Sequence, residues 1–404
     1  MKKFVVLILV LGFFLNMVLH ASAEMVTIHN NTVWYDTDGN EIMCQGGGVI
    51  YVDGVFHWFG MDFSSNYDFI GINHYTSTDL KNWTKQSPVV TADNAPFQRN
   101  HWVGRPYVIY CPNSDPKEYR FVLICEWGST GQQSGKDGSR NRICFFTAKD
   151  INGPYEFRAD KTIWSLPDVN GDRWSIGDLG VYQEGNRAFL LYTFDKPIPS
   201  KPTERNYSQA ILELAPNFLE PLPLVDGKPQ NYVEFHGKDW PEGVQEAASI
   251  FKYGDTYYYL TSKCAGWSSS ETRYRTAKDI LGPWSDNAII PGTLETKSYD
   301  TQHDFEIIVN GTERTTVIYC GDRWQFTMQT KPGKYAWYPL TIDENGVPHI
   351  HGYETWQIDA ETGLFQEGGP SPTPDPRITP TPTPGPVFLG DNVLVNPGFE
   401  TGNI

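Results

Sequence analysis

The chain has 404 residues, a formal net charge of −16 and a pI near 5.0. That balance opposes binding to nucleic acid or to anionic membrane surfaces and suits a neutral substrate. Six cysteines are too few for a disulfide scaffold at this length, and no Cys/His spacing resembles a zinc site.

The N-terminus carries Lys2 and Lys3, an apolar run from Phe4 to Leu19, and Ala21-Ser22-Ala23 before Glu24. This pattern predicts a signal peptide over residues 1–23. A retained membrane anchor is the alternative, and the Ala-Ser-Ala site favours cleavage. The mature protein is expected to be secreted, soluble and monomeric, with no nucleic-acid or membrane partner.

Residues 24–368 read as strands nearly throughout, which predicts an all-β domain. Val49–Phe59 forms two β segments around Asp53-Gly54, and the same device recurs around Gly185 and Gly254. A second element follows the hairpins. Thr147-Ala148-Lys149-Asp150-Ile151-Asn152-Gly153-Pro154-Tyr155 matches Thr276-Ala277-Lys278-Asp279-Ile280-Leu281-Gly282-Pro283-Trp284, and Ser77–Trp83 is a looser copy. Aligning these units places inner-strand starts near Gln45, Gly104, Asp178, Glu246 and Gln302, at intervals of roughly 55 to 75 residues. Five such units predict a five-bladed β-propeller whose inner strands converge on one central pocket. A β-sandwich is the alternative, but it gives no reason for the repeated turn. Cys125 and Cys144 fall on neighbouring strands, so a disulfide and two buried thiols both remain open.

Cleaving a glycosidic bond takes an acid for the leaving oxygen and a group across from it to activate water or attack. Carboxylates at the starts of inner strands are therefore the candidates. Glu246 enters the small-residue and apolar run Ala247-Ala248-Ser249-Ile250-Phe251, surroundings that raise a carboxyl pKa. A solvated strand-end glutamate is the plainer reading. Asp178 holds the same place one unit earlier, where capping of a glycine turn is equally consistent with its sequence. Asp304 lies two residues from Gln302 and so on the same strand face, where it could act as a base. Exposed rings next to polar groups grip sugar faces. Trp102, Trp127, Trp174, Trp267 and Trp324 are candidates for this, although each would also serve as a packing residue. Arg105 and Arg323 could bind hydroxyls or pair with carboxylates.

Residues 369–387 form a Pro/Thr-rich tract, predicted to be an extended linker. Residues 388–404 look like the opening of a jelly-roll carbohydrate-binding module, too short to fold as a domain.

Over about 30–360 the chain resembles glycoside hydrolase family 43, and within it the exo-β-1,3-galactanase branch. The resemblance is carried by Asp36-Thr37-Asp38-Gly39-Asn40, Gly46-Gly47-Gly48, Trp58-Phe59-Gly60, the run Tyr75–Trp83, Arg105-Pro106, Gly321-Asp322-Arg323-Trp324 and Trp337-Tyr338-Pro339-Leu340. It implies that Glu246 is the general acid and Asp178 the neighbour that tunes and orients it. It also implies that Gln302 holds the attacking water, in place of the blade-one aspartate that most of the family uses as base. Gln45, Arg105, Trp127, Trp267, Asp322, Arg323 and Trp324 become expected substrate-binding residues. No cofactor is required, and a structural calcium occurs in the family. The chain departs from the branch at Gly104 and Met61, where glutamates are usual, and at Gln45, where histidine is common. The function so implied is inverting, exo-acting release of galactose from β-1,3-galactan, as in arabinogalactan cores. The alternatives are a β-xylosidase or α-L-arabinofuranosidase of the same family, or a non-catalytic sugar-binding propeller.

Overall fold

The structure, a computed structural model, describes residues 25–64, 69–92, 102–128, 142–163, 166–167, 173–198, 201–235, 245–324 and 331–369. The expected signal peptide, the Pro/Thr linker beyond residue 369 and the module start at 388–404 lie outside the described residues, as do the side chains of Trp102 and Trp174.

The described fold is all-β, with one 3-10 turn at Ala159–Lys161 and one short helix at Thr293–Asp300. No described helix is long and apolar enough to cross a membrane. Five sheets of four or five strands succeed one another along the chain. Their long leading strands are Gln45–Val52, Trp102–Tyr110, Arg173–Glu184, Gln245–Tyr253 and Gln302–Asn310. From each, the sheet runs on through antiparallel neighbours in sequence order. Successive leading strands touch, and the Gln302 strand also touches the Gln45 strand. Residues far apart in sequence therefore meet where these strands begin. Three of the expected starts coincide with the observed ones to within a residue. Gly104 and Asp178 instead lie inside strands that begin earlier, at Trp102 and Arg173.

The turns form for local reasons. Asp53 and Gly54 both adopt left-handed backbone, with φ of 49° and 86°, as a two-residue hairpin of this hand requires. In the repeated turn, Gly153 N–H donates to Asp150 O at 2.9 Å and Gly282 N–H donates to Asp279 O at 2.8 Å. The following ring bonds back in both copies: Tyr155 hydroxyl to Ile151 O and Trp284 indole to Ile280 O, each at 3.1 Å.

A sixth sheet, absent from the sequence reading, pairs Val26–His29 with Thr355–Ile358 and that with Phe365–Glu367. It joins the two ends of the domain. Asn30 strengthens the join by donating to Trp337 O at 2.7 Å and accepting from Trp337 N–H at 2.8 Å. The core lies between sheets. Between the first and fifth, Trp58 sits 4.9 Å from Trp337 and 5.2 Å from Trp83, ring to ring. Such aromatic pairs each contribute about 0.5–1.5 kcal/mol beyond the area they bury. Cys125 and Cys144 face each other in register, and both are buried free thiols.

Candidate active site

Each of the five leading strands is broken near its start by a bulge. The register shifts fall between Gln45 and Gly48, Gly104 and Tyr107, Ile176 and Leu179, Glu246 and Ser249, and His303 and Phe305. A bulge re-aims side chains and releases backbone N–H groups from the ladder, and those groups then need other acceptors. Here the acceptors are carboxylates. Gly46 N–H donates to Asp322 Oδ2 at 2.7 Å, Gly47 N–H to Asp304 Oδ2 at 3.1 Å and Ala247 N–H to Asp178 Oδ2 at 3.2 Å. Glycine is required in the first strand. A Cβ at Gly46 would lie 2.2 Å from the Met61 methyl, and one at Gly47 would lie 1.8 Å from Phe59 O.

Arg105 stands at the second bulge with φ of 43°, a conformation that costs a non-glycine residue about 1 kcal/mol or more. The bend points its guanidinium between two carboxylates, 3.1 Å from Asp178 and 2.8 Å from Asp304. Arg105 is buried, while Asp178 keeps 20% of its side chain open. Of the two roles expected for Arg105, pairing with carboxylates is the one the structure displays.

Glu246 is buried, and Gln302 Nε2 donates to its Oε1 at 2.6 Å. Burial pushes its pKa up to about 8, and the nearby charge of Asp178 adds to the rise. Cys264, Arg105 and Ala265 N–H oppose it. Glu246 can thus hold a proton at neutral pH. Gln302 is fixed at both ends, because its Oε1 accepts the Trp324 indole N–H at 2.5 Å.

Asp304 and Asp322 are both buried, and each carboxyl group influences the charge of the other. Burial lifts Asp304 to about 6 despite Arg105, and it lifts Asp322 well above the carboxylate range, with the Asp304 charge adding to the rise. Asp304 was expected as an alternative base and Asp322 as a sugar ligand, and both are buried. Asp304 is 1% exposed, with its oxygens on Arg105 and Gly47 N–H. Together the two carboxyl groups form the floor that holds the first, second and fifth strands in place.

Two further expected residues are buried. Arg323 donates to the carbonyls of Asn30, Tyr299 and Asp300 and to the Tyr338 hydroxyl. It anchors the segment leading into Gln302. Gln45 is also buried, its Nε2 donating to Arg323 O at 3.0 Å and Lys334 O at 3.3 Å. Met61 lies opposite Gln45 in register and packs with Phe63, Trp324 and the half-buried Trp267. Trp267 meets Trp324 edge-on at 4.8 Å, and Arg105 lies 5.9 Å over the Trp324 ring. Trp127 is held beneath Arg142 at 4.6 Å. Gly104 is paired across the ladder with buried Glu126, so a carboxylate stands on the adjoining strand.

The sequence reading missed Cys264 and Ala265, which follow the strand Thr256–Lys263, paired with the Glu246 strand. A Lys-Cys-Ala-Gly-Trp loop has no periodicity to announce that it folds over a carboxylate. Among the described residues, no group of three or more His, Cys, Asp or Glu is arranged to hold a metal ion.

Residues 49–327 match the family model for glycosyl hydrolases family 43. The chain belongs to glycoside hydrolase family 43. This family 43 chain is therefore a glycoside hydrolase. A β-D-galactofuranosidase of Aspergillus niger is 24% identical over 295 residues, covering 67% of this chain and 76% of that protein. Among solved structures, an exo-β-1,3-galactanase of Clostridium thermocellum matches with a TM-score of 0.69 at 23% identity, over 85% of this chain and 69% of that one. An exo-β-1,3-galactanase of Phanerochaete chrysosporium, determined with β-1,3-galactotriose, matches at 0.66 and 25% identity, over 85% and 71%.

Proposed function

We propose that this family 43 hydrolase is an inverting exo-β-1,3-galactanase, a secreted five-bladed propeller that releases galactose from β-1,3-galactan. The observation that carries the reading is the buried Glu246 clasped by the amide of Gln302, with no carboxylate on the Gln45 strand at that level. The likeness to the galactotriose-bound fungal galactanase supports the substrate. The five sheets, whose leading strands touch in succession and return to the first, support the propeller.

In this reading Glu246 donates its proton to the glycosidic oxygen as the bond breaks. Asp178 keeps that proton in place through its negative charge, while Arg105 fixes Asp178. The Gln302 carbonyl oxygen, with one lone pair on Trp324, has a second lone pair with which to hold the attacking water. Trp267 offers a ring face to the sugar. Inverting enzymes hold acid and water-activating group about 6.5–9.5 Å apart. Gln302 bonds Glu246 directly at 2.6 Å, so in this reading the Gln302 amide swings away from Glu246 when the sugar and its water enter. A furanoside hydrolase is the second reading, favoured by the likeness to the fungal galactofuranosidase.

The test is product analysis on β-1,3-galactooligosaccharides, arabinan, xylooligosaccharides and a galactofuranoside, with the anomer of the first product followed by NMR. Galactose released from the non-reducing end as the α-anomer is the expected result. Turnover of only a furanoside or xyloside, or binding without turnover, would overturn it. Glu246→Gln should lower turnover of the oligosaccharide by about 10²–10⁴-fold.

A further inference from the structure

Ala247 follows Glu246 and carries the turn of its bulge, with φ of 53° in the left-handed region that favours glycine. Its peptide groups are held on both sides. The N–H donates to Asp178 Oδ2 at 3.2 Å, and the carbonyl oxygen lies 2.8 Å from His303 Nδ1. The next residue is wedged as well. A Cβ at Gly180, on the leading strand of the third sheet, would lie 2.0 Å from Ala248 O.

A carbonyl oxygen can only accept, so His303 Nδ1 carries a hydrogen and donates it to Ala247 O. The other ring nitrogen, Nε2, lies 2.7 Å from Glu306 Oε1 and 3.1 Å from Ser249 Oγ, and that hydroxyl donates to Glu306 Oε2 at 2.5 Å. Ring nitrogen and carboxyl oxygen come this close around a proton, so the imidazole cannot turn without breaking bonds at both ends. The side chains of His303 and Glu306 are 0% and 2% exposed, which leaves water no room to replace either bond. Left-handed backbone at a residue with a Cβ persists only where its surroundings impose it. Released from His303, the Ala247 peptide would relax and turn the neighbouring carboxyl group.

We propose that His303 is a positioning residue for the general acid: oriented by Glu306 and Ser249, it fixes the Ala247 carbonyl and so the bulge from which Glu246 projects. The inference rests on Glu246 being that acid.

The experiment is the steady-state kinetics of His303→Leu and His303→Asn on a β-1,3-galactooligosaccharide and on β-galactosyl fluoride, with thermal unfolding of each variant. An asparagine amide can place an N–H where Nδ1 stood, and leucine has none. Both give up the bond to Glu306, so both should unfold at a lower temperature than the native protein. Fluoride departs with little protonation, so its release depends on the rest of the site far more than on the acid. His303→Leu should lower kcat on the oligosaccharide roughly tenfold to a hundredfold with KM little changed. On the fluoride it should lose far less, and His303→Asn should recover most of the loss on the oligosaccharide. Equal losses on the two substrates, or an asparagine variant no better than leucine, overturn the proposal. Should His303→Leu fail to fold, Glu306→Met frees the ring while leaving its Nδ1–H, and the same comparison of substrates decides. Glu246→Gln run alongside separates the two ideas. If it spares the fluoride and His303→Leu does not, only the role of His303 falls. If it loses both substrates alike, or neither, the acid assignment falls, and this proposal with it.

Discussion

Gln302 and Trp324 fix each other: the indole N–H donates to the amide oxygen at 2.5 Å, and indole nitrogen can only donate. The amide therefore stands one way round, with its NH₂ toward Glu246 at 2.6 Å. Were it flipped, the amide oxygen would face Glu246 and the NH₂ would face another donor.

Trp324→Phe keeps the ring and removes the donor. The amide is then free to turn, and Glu246 loses its fixed partner for part of the time. kcat on the oligosaccharide should fall about tenfold with KM nearly unchanged, since roughly 1.4 kcal/mol of orientation is lost from the reacting groups rather than from binding. A rise in KM at constant kcat would assign Trp324 to sugar stacking instead.

Asp178→Asn tests the electrostatic link between sheets. Asp178 raises the Glu246 pKa through like charge, so its neutralisation must lower that pKa. The alkaline limb of kcat/KM should move to lower pH, while the acidic limb stays. The Asn side chain still reaches Arg105 and Ala247 N–H with its oxygen, so stability should change little. An unmoved alkaline limb would mean that Asp178 acts only as a structural partner of Arg105.

The sequence showed the strands, the hairpins and the repeated turn, because these follow from local chemistry. Asp53-Gly54 needs left-handed backbone, and the Gly-Pro turn recurs with the same hydrogen bonds. Glu246, Asp178 and Gln302 were reachable through strand spacing and family resemblance together. The bulges were not, because a one-residue insertion in a ladder leaves no periodic trace in a single strand. Nor were the contacts that bury two of the candidates: Arg323 turns onto the segment before Gln302 and Asp304 onto the first strand's freed N–H. Cys264 was invisible for a different reason: its place beside Glu246 is set by a loop crossing to the next strand, and loop paths are not encoded in spacing.

Arg105→Met probes the same floor from the side of stability. The substitution leaves Asp178 and Asp304 facing each other without their shared cation, and Asp304 is almost wholly buried. Breaking a buried pair from one side costs about 3–5 kcal/mol, far more than a surface pair is worth. Chemical denaturation should show a loss of that order at neutral pH. The loss should shrink in acid, where Asp304, raised to about 6, is readily protonated and no longer needs the cation. A loss independent of pH would point to the left-handed backbone at residue 105, not to charge, as the source.

Glu246 itself should trade stability for a usable proton. Its pKa is about 8 in the fold against 4.5 ordinarily, a raised value for an acid whose anion is disfavoured by burial. With that sign, the stability the group contributes is fully present below its unfolded value near 4.5 and is lost as pH rises through about 8. Glutamine cannot ionise and escapes the loss. Native protein and Glu246→Gln should therefore unfold at similar temperatures near pH 4.5, and the variant should gain steadily above that. The difference should reach roughly 5 °C by pH 8 and then level off. Asp304 titrates within the same interval in both proteins, so its contribution largely cancels in the comparison. Parallel curves of unfolding temperature against pH would show that Glu246 is ionised throughout, and that the proton needed for cleavage comes from elsewhere.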